Sequence, residues 1–183
     1  DDSSNMGTVG GYHQSFRKNL VTGVVEIIGT NALGIEANSD IGSALITDDG
    51  RYAVFQTTAT NLLGATSGSS DPQLYRKDMN TGELVLVSCD AQGFIGDDKS
   101  NQADISADGR YVVFMSYASN LLGSVPTSGT RQVFRKDLDT GEIRMVSCDV
   151  NGFEADGSAT DWDISAISDN GRYVTFVSAD TTN

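Results

Sequence analysis

Residues 47–55, TDDGRYAVF, return as SADGRYVVF at 106–114 and as SDNGRYVTF at 168–176. Self-similarity at a fixed period indicates stacked supersecondary units, because a single unit of this size cannot bury its hydrophobic face alone. The glycines of this block are Gly50, Gly109 and Gly171, at steps of 59 and 62 residues.

Each copy of this block predicts a β-hairpin. In the middle unit, β-type residues at 43–47 and 52–57 flank Asp-Asp-Gly, and the glycine accepts the positive φ that a tight turn needs. A basic block follows in every unit and predicts a second hairpin, with strands over 73–79 and 84–90 in the middle unit. We name the four strands of a unit A, B, C and D in chain order. The basic block reads FRKNLVTG, YRKDMNTG and FRKDLDTG, and its turn glycines are Gly23, Gly82 and Gly141.

Strand B is apolar on both faces, as residues 53–55 and 112–114 illustrate. A strand with one wet face alternates between apolar and polar residues, whereas a strand covered on both faces does not. Four-stranded antiparallel units packed face to face are the blades of a β-propeller. A β-sandwich and a β-solenoid compete with this interpretation, but sandwich strands do not recur at a strict period and solenoid coils are shorter. We therefore predict an all-β propeller of four-stranded antiparallel blades.

The repeat also resembles a known family. ISADGRYVVF at 105–114, NLL at 120–122, VFRKDLDTGE at 133–142 and MVSCD at 145–149 resemble the WD40-like (PD40, TolB-type) β-propeller repeats of bacterial proteins. The similarity covers almost the whole chain and departs from the usual SPDG turn, where this chain has TDDG, SADG and SDNG. The resemblance implies a propeller in a secreted, periplasmic or cell-surface protein. It implies little about function, because such blades occur in many contexts.

The phase of the repeat predicts how the blades are divided. In strands the chain reads C-D, A-B-C-D, A-B-C-D, A-B, which makes three blade equivalents. Its parts are a half-blade 1–33, a blade 34–92, a blade 93–151 and a half-blade 152–183. Propellers have four or more blades, and open half-blades would expose strand edges. We therefore expect a homodimer that closes a six-bladed ring; the alternative is a piece of a longer chain that has further blades.

Composition argues against several classes of partner. The formal net charge is -13, whereas nucleic acid is bound by clustered Lys and Arg; the same charge disfavours anionic membrane surfaces. No run approaches the ~20 apolar residues of a membrane span. Cys89 and Cys148 hold equivalent positions in neighbouring units, too far apart on splayed sheets for a disulfide. We expect two free thiols.

Repetition separates architecture from candidate sites, since a feature in every unit is expected to be structural. The Arg-Lys pairs at 17–18, 76–77 and 135–136 are predicted to pair with the repeated aspartates across blades. His13, the sole histidine, is expected at the surface or at a seam between blades. The turn glycines are assigned a structural role.

The loops between strands D and A are acidic, and they lie on the face of a propeller that usually carries function, because loops tolerate variation. The third of these loops is three residues longer and holds the only Trp, between two aspartates. Such a ring stacks on a sugar or accepts a cation. We predict that a protein or glycan ligand binds at Trp162, Asp161, Asp163, Glu154 and Asp156.

The same loop is rich in oxygen ligands of the kind that Ca²⁺ prefers, although it does not match the EF-hand loop. A solvated acidic surface that binds no ligand is the competing interpretation of all these loops. The candidate calcium ligands are Asp149, Asn151 and Asp156.

Catalytic motifs are absent from the sequence: it has no G-x-S-x-G, H-E-x-x-H, C-x-x-C or P-loop. A pair of loop carboxylates is able to hydrolyse a glycoside, but sequence spacing does not select two of them. The predicted function is therefore a non-catalytic propeller module that binds a protein or a glycan on its acidic loop face, with calcium as the only candidate cofactor. The alternatives are a calcium-stabilised structural repeat of a larger bacterial surface protein and a carboxylate-based glycoside hydrolase or lyase.

Overall fold

Antiparallel hairpins make up the fold. The computed structural model describes residues 11–64, 70–123, 127–154 and 166–177. Within these ranges no helix is long and apolar enough to cross a membrane. The strands are β1 (Phe16–Lys18), β2 (Val25–Ile27), β3 (Ile41–Ile46), β4 (Tyr52–Thr57), β5 (Gln73–Asp78), β6 (Leu84–Leu86), β7 (Ser100–Ile105), β8 (Tyr111–Ser116), β9 (Gln132–Asp137), β10 (Ile143–Met145), β11 (Ala166–Ile167) and β12 (Val174–Thr175).

The strands form four antiparallel sheets in chain order. The first sheet holds β1 and β2, the second β3 to β6, the third β7 to β10, and the fourth β11 and β12. The strand order in the described residues follows the predicted pattern of C-D, two A-B-C-D sheets and A-B. No closed ring of sheets is present among these residues, so the number of blades in a ring and the blade boundaries stay predictions.

The strand bounds differ from the sequence interpretation by more than one residue at two places. β6 ends at Leu86, before the predicted end of strand D, because the Cys89 N–H bonds back to the Val87 carbonyl oxygen at 2.9 Å and turns the chain. β3 begins earlier than predicted, at Ile41, and an irregularity before Ala44 keeps the longer strand in register with β4.

Each A–B turn is held by side chains as well as by its glycine. Gly50 has a φ of +74°, the conformation that Gly adopts at little cost. The Thr47 hydroxyl donates to Asp49 Oδ1 at 2.6 Å, and the backbone N–H groups of Arg51 and Tyr52 donate to Asp49 Oδ1 and Thr47 Oγ1. The other two turns repeat these bonds through Ser106 with Asp108 and Ser168 with Asn170.

Neighbouring sheets share a core. β4 and β8 are buried on both faces, as predicted for strand B. Val54 of the second sheet belongs to the same buried cluster as Val112 and Phe114 of the third. Burial of each such side chain stabilises the fold by about 1.5–3 kcal/mol. Within each four-stranded sheet a ring of strand B stacks on a ring of strand C, with centroids 5.8 Å apart for Phe55 and Tyr75 and 5.9 Å apart for Phe114 and Phe134.

A tyrosine joins the second sheet to the third, and another joins the third sheet to the fourth. We call this contact the tyrosine lock. The Tyr52 ring lies against Gly109 of the next sheet, where a Cβ atom would come within 2.1 Å of the ring. Arg76 stacks over the same ring, 4.6 Å from the centroid, and its Nη1 donates to the Gly109 carbonyl oxygen at 2.8 Å. Any side chain at position 109 would therefore overlap the Tyr52 ring. The second copy of the lock consists of Tyr111, Gly171 and Arg135.

A buried lysine makes a second joint between sheets. Lys136 Nζ donates to the carbonyl oxygens of Cys89 and Asp90, at 3.0 and 2.7 Å, where the preceding sheet ends. Lys77 binds the carbonyl oxygen of Thr30 in the same way, and burial lowers the pKa of Lys77. These bonds supply donors to carbonyl groups that lie outside the strand ladder.

The prediction that the Arg-Lys pairs bind the repeated aspartates across blades is wrong. The three arginines, together with Lys77 and Lys136, reach a neighbouring sheet, but they bind backbone carbonyl oxygens there. The aspartates are bound within their own sheet, because the C–D turn lies beside the A–B turn. Asp78 accepts from Arg51 Nη2 at 2.9 Å, and Asp137 accepts from Arg110 Nη2 at 2.7 Å.

Both cysteines are free, as expected. Cys89 and Cys148 occupy the position that Thr30 holds in the first unit, at the start of a small hairpin. Burial raises the pKa of both thiols, which disfavours the reactive thiolate form.

Candidate functional site

The connection from strand D to strand A begins with a small hairpin that recurs in every unit. We call residues 30–36, 89–95 and 148–154 the connector hairpins; an isolated bridge joins the first and last residue of each. In the third hairpin, Asp149 Oδ1 accepts the backbone N–H groups of Asn151 at 2.8 Å and Phe153 at 2.9 Å. The other two hairpins are held in the same way by Asn31 and Asp90.

This arrangement gives the candidate calcium ligand Asp149 a role in the loop itself. Backbone hydrogen bonds, first that from Phe153, keep the pKa of Asp149 below its usual value, and Asn151 donates its side-chain N–H to Asp149 Oδ2 at 3.1 Å. The third candidate, Asp156, lies outside the described residues. In the part of the chain that the structure describes, no group of three or more His, Cys, Asp or Glu side chains is placed to hold a metal. Calcium binding stays a prediction.

Asp149→Asn is expected to leave stability almost unchanged. In the first unit an asparagine, Asn31, already accepts the equivalent pair of backbone N–H groups. Asp149→Ala should lower the free energy of unfolding measurably, because the two backbone N–H groups lose their acceptor. Urea unfolding, with and without millimolar calcium, measures both. If calcium stabilises the wild-type protein and Asp149→Asn abolishes that gain, Asp149 is a metal ligand after all.

An acidic residue that follows the second connector hairpin binds the neighbouring B–C loop. Asp97 accepts the backbone N–H of Ser119 at 2.7 Å and its hydroxyl at 2.6 Å. Asn120 accepts the Asp97 N–H at 3.0 Å and donates to the Ile95 carbonyl oxygen at 2.9 Å. Asn120, the first residue of the NLL motif, thus links the two loops by hydrogen bonds. The first unit has an equivalent set of hydrogen bonds between its two loops, made by Asn38, Thr60 and Asn61.

Glu154, a predicted ligand-binding residue, is bound by a B–C loop. Its carboxylate accepts the Ser128 N–H at 3.0 Å and the Ser128 hydroxyl at 2.7 Å. The structure therefore brings Glu154 to the loop face but engages it within the chain. The other predicted ligand-binding residues lie outside the described residues, and their role stays a prediction; they are Asp156, Asp161, Trp162 and Asp163.

Exposed apolar side chains on the connector hairpins were not predicted. Ile35, Phe94 and Phe153 hold the same position in three units and are 54%, 68% and 72% exposed. Exposed apolar groups with polar residues around them mark interaction sites when they form a patch. The signal in the sequence is a large apolar residue placed directly after a turn glycine within a polar loop. Those glycines are Gly34, Gly93 and Gly152.

A cleft of about 450 Å³ lies between the second and third sheets. Ser43, Gln56, Asn101 and Gln102 line it together with five apolar residues. Gln102 lies at the irregularity of β7 and has a φ of +46°, in the left-handed region. No titratable side chain lines this cleft, so it supplies hydrogen-bonding groups but no acid or base.

Several solved structures are similar to this chain. TolB from Acinetobacter baumannii matches with a TM-score of 0.48 at 18% identity, over 92% of this chain and 32% of that one. The tricorn protease matches with a TM-score of 0.51 at 12% identity, over 88% of this chain and 12% of that one. A protein described as TolB from Agrobacterium tumefaciens matches with a TM-score of 0.38 at 18% identity, over 93% and 64%.

No family model and no curated protein matches the chain. The chain spans between 12% and 64% of the length of the similar structures, and at such low identity the likeness concerns the fold alone. Two of the three neighbours are TolB proteins, the kind of protein that the repeat was found to resemble. The chain has an all-β fold of antiparallel sheets that contain two or four strands.

Proposed function

We propose that the chain is a non-catalytic β-propeller module that binds a protein partner through the connector hairpins and the acidic loops beside them. The observation that carries the proposal is the exposure of Ile35, Phe94 and Phe153 at one repeated position. Aromatic and aliphatic anchors of this kind contribute most of the energy of protein interfaces when a partner covers them. The described loop carboxylates Asp97 and Glu154 are bound within the chain, which supports binding over catalysis.

The partner is expected to be basic. The chain carries a formal net charge of -13, and complementary charge accelerates the encounter of two proteins and aligns them. Partly exposed carboxylates near the connector hairpins, such as Asp98, add to this field. Since exposed charges are screened over about 10 Å at moderate salt, the association should weaken as salt is added.

Panning a phage-displayed random peptide library against the immobilised chain tests the proposal. We expect the enriched peptides to combine basic and apolar residues. The double variant Phe94→Ser/Phe153→Ser should bind them about tenfold or more weakly by isothermal titration calorimetry.

The control is Leu20→Ser/Val21→Ser, which removes apolar side chains that are even more exposed, at 89% and 95%, but lie in the turn between β1 and β2. Its affinity for the peptides should match that of the wild-type protein. Absence of enrichment, or equal losses in both double variants, would contradict the proposal.

A glycan is the second candidate ligand, because the only Trp of the chain lies between two aspartates. A glycan array probed with wild-type protein and with Trp162→Ala tests this candidate. Signals that disappear in the variant would favour a glycan, and an unchanged profile would remove Trp162 from the site.

We also propose that two chains close a six-bladed ring. Sheets of two, four, four and two strands in the described residues support three blade equivalents per chain. A two-fold axis would then make the two contacts between the chains identical. Sedimentation at twice 19.4 kDa is the expected result. The family resemblance further supports a secreted, periplasmic or cell-surface location as part of this proposal.

A further inference from the structure

One copy of the tyrosine lock is incomplete. Arg17 Nη1 donates to the Gly50 carbonyl oxygen at 2.5 Å, as Arg76 and Arg135 do to the glycines of the following sheets. In the two complete locks a tyrosine ring lies against that glycine. At Gly50, which has a similar φ, a Cβ atom would meet no described heavy atom within 4 Å. Arg17 and Gly50 therefore form an open site for a tyrosine, and we call it the Arg17 socket.

Tyr173 is the tyrosine without a matching glycine. It occupies the position of Tyr52 and Tyr111 in the repeated block and is 63% exposed. Arg172 stacks over its ring at 5.4 Å, as the preceding arginine does in the complete locks. The second arginine of a complete lock comes from strand C, and no strand C is paired with β12 in the described ranges.

The strands beside Tyr173 and beside the Arg17 socket have complementary edges. β12 is a strand B without a strand C beside it, and β1 is a strand C without a strand B, within the described residues. In the second sheet, strand B pairs with strand C at Ala53 and Lys77, and the third sheet repeats this register. The same register would place Val174 opposite Lys18. It would also form a ring pair at the position of the two stacked pairs, from Phe176 and Phe16.

The two halves lie at opposite ends of the row of sheets. β1 and β2 border the second sheet, where the Ile41 N–H donates to the His13 carbonyl oxygen at 2.9 Å. β11 and β12 border the third sheet, where the Ile167 N–H donates to Asp104 Oδ2 at 2.9 Å. Each end therefore presents the half of a four-stranded sheet that the other end lacks in the described residues. A second copy supplies both halves and closes the ring with two identical joints.

We infer that Tyr173 of a second copy fills the Arg17 socket, and that β12 of that copy pairs with β1 to complete a four-stranded sheet. This inference rests on the proposed six-bladed ring and specifies its joint. The joint lacks one contact of the internal sheets, because Asn19 stands where Asp78 and Asp137 bind the arginine of the A–B turn. Arg172 meets an amide there instead of a carboxylate, so the joint between chains is weaker than a complete internal sheet.

Disulfide trapping tests the register. Lys18→Cys and Val174→Cys are made in separate chains, each with Cys148→Ser, and the two proteins are mixed and oxidised. Residues directly opposite in a sheet lie within reach of a disulfide, so we expect a covalent dimer. Lys18→Cys mixed with Thr175→Cys is the matched control. A shift of one residue moves the thiol to the other face of the sheet, and the covalent dimer should be lost.

Asn19→Asp tests the missing ion pair. The aspartate keeps the acceptor that Asn19 Oδ1 offers to the N–H groups of Val21 and Thr22 and adds a carboxylate for Arg172. We expect the dissociation constant of the dimer, measured by sedimentation velocity, to fall about tenfold or more. Tyr173→Ser empties the socket and should raise the dissociation constant by a similar factor.

The outcomes distinguish a failure of the pairing between β12 and β1 from a failure of the six-bladed ring on which that pairing rests. A 19.4 kDa monomer at every concentration would overturn both the ring and the joint. A dimer that crosslinks equally in both registers, or that Asn19→Asp does not tighten, would overturn the joint and leave the ring standing. Peptide binding is measured separately on Tyr173→Ser, so a failure of the proposed binding function is distinguished from a failure of the joint.

Discussion

Replacing Gly109 by alanine is expected to lower the free energy of unfolding by about 3 kcal/mol or more, because two costs add. An alanine at a φ of +75° carries about 1–2 kcal/mol of backbone strain. The new methyl group would also come within 2.1 Å of the Tyr52 ring, and overpacking of this kind costs about 1–3 kcal/mol. The ring cannot shift freely, since Arg76 stacks over it. Urea unfolding followed by circular dichroism measures the loss.

Gly23→Ala is the matched control for this substitution. Gly23 has a φ of +79°, and a Cβ atom there would meet no described heavy atom within 4 Å, so only the backbone strain of about 1–2 kcal/mol remains. Adding Tyr52→Ala to Gly109→Ala should relieve the overlap, and the double-mutant cycle should show a coupling. Equal losses at the two glycines, with no coupling to Tyr52, would show that the tyrosine lock does not form in solution.

Asp137→Asn is expected to cost about 2 kcal/mol at neutral pH and to weaken the acid sensitivity of the protein. The hydrogen bonds from Arg110 hold the pKa of Asp137 well below its usual value, and this side chain is almost fully buried. A lowered pKa in the folded state stabilises the protein above the unfolded value of about 3.9, and that stability is lost as the pH falls below it. The wild-type protein should therefore lose stability more steeply than Asp137→Asn between about pH 5 and pH 2.

Asp139→Asn separates the buried pair from ordinary surface charge. Asp139 lies 3.4 Å from the same arginine but its side chain is mostly exposed, and exposed pairs contribute about 0–1 kcal/mol. Unfolding at a series of pH values should give a wild-type curve for Asp139→Asn and a flatter one for Asp137→Asn. Parallel curves for all three proteins would contradict the assignment of the acid transition to Asp137.

The hairpins could be predicted from the sequence because their determinants are local. Thr47, Asp49 and Gly50 act within one turn, through a hydroxyl, a carboxylate and a left-handed backbone. The burial of β4 and β8 on both faces also follows from a run of apolar residues. The strand ends were less predictable, since β6 ends where the chain turns into a connector hairpin rather than where the β-type residues stop.

The contacts between units could not be read from the repeat alone. The period shows that Arg76 and Lys77 recur, but their partners are backbone carbonyl oxygens, and a carbonyl group has no signature in a sequence. Asp149 looked like a metal ligand for the same reason, because its partners are backbone N–H groups. The exposure of Phe94 depends on how the connector hairpin projects from the sheets, which a list of apolar residues does not reveal.

The tyrosine lock also bears on how such proteins change over generations. Its tyrosine and arginine come from one unit and its glycine from the next, yet every complete unit encodes all three. A tandem duplication of one 59-residue segment therefore creates a fitting neighbour at once, with no compensating substitution. A substitution at the tyrosine or the glycine harms a single junction and leaves the others intact. Blade number can thus grow or shrink by whole gene segments, while the junction chemistry is inherited unchanged.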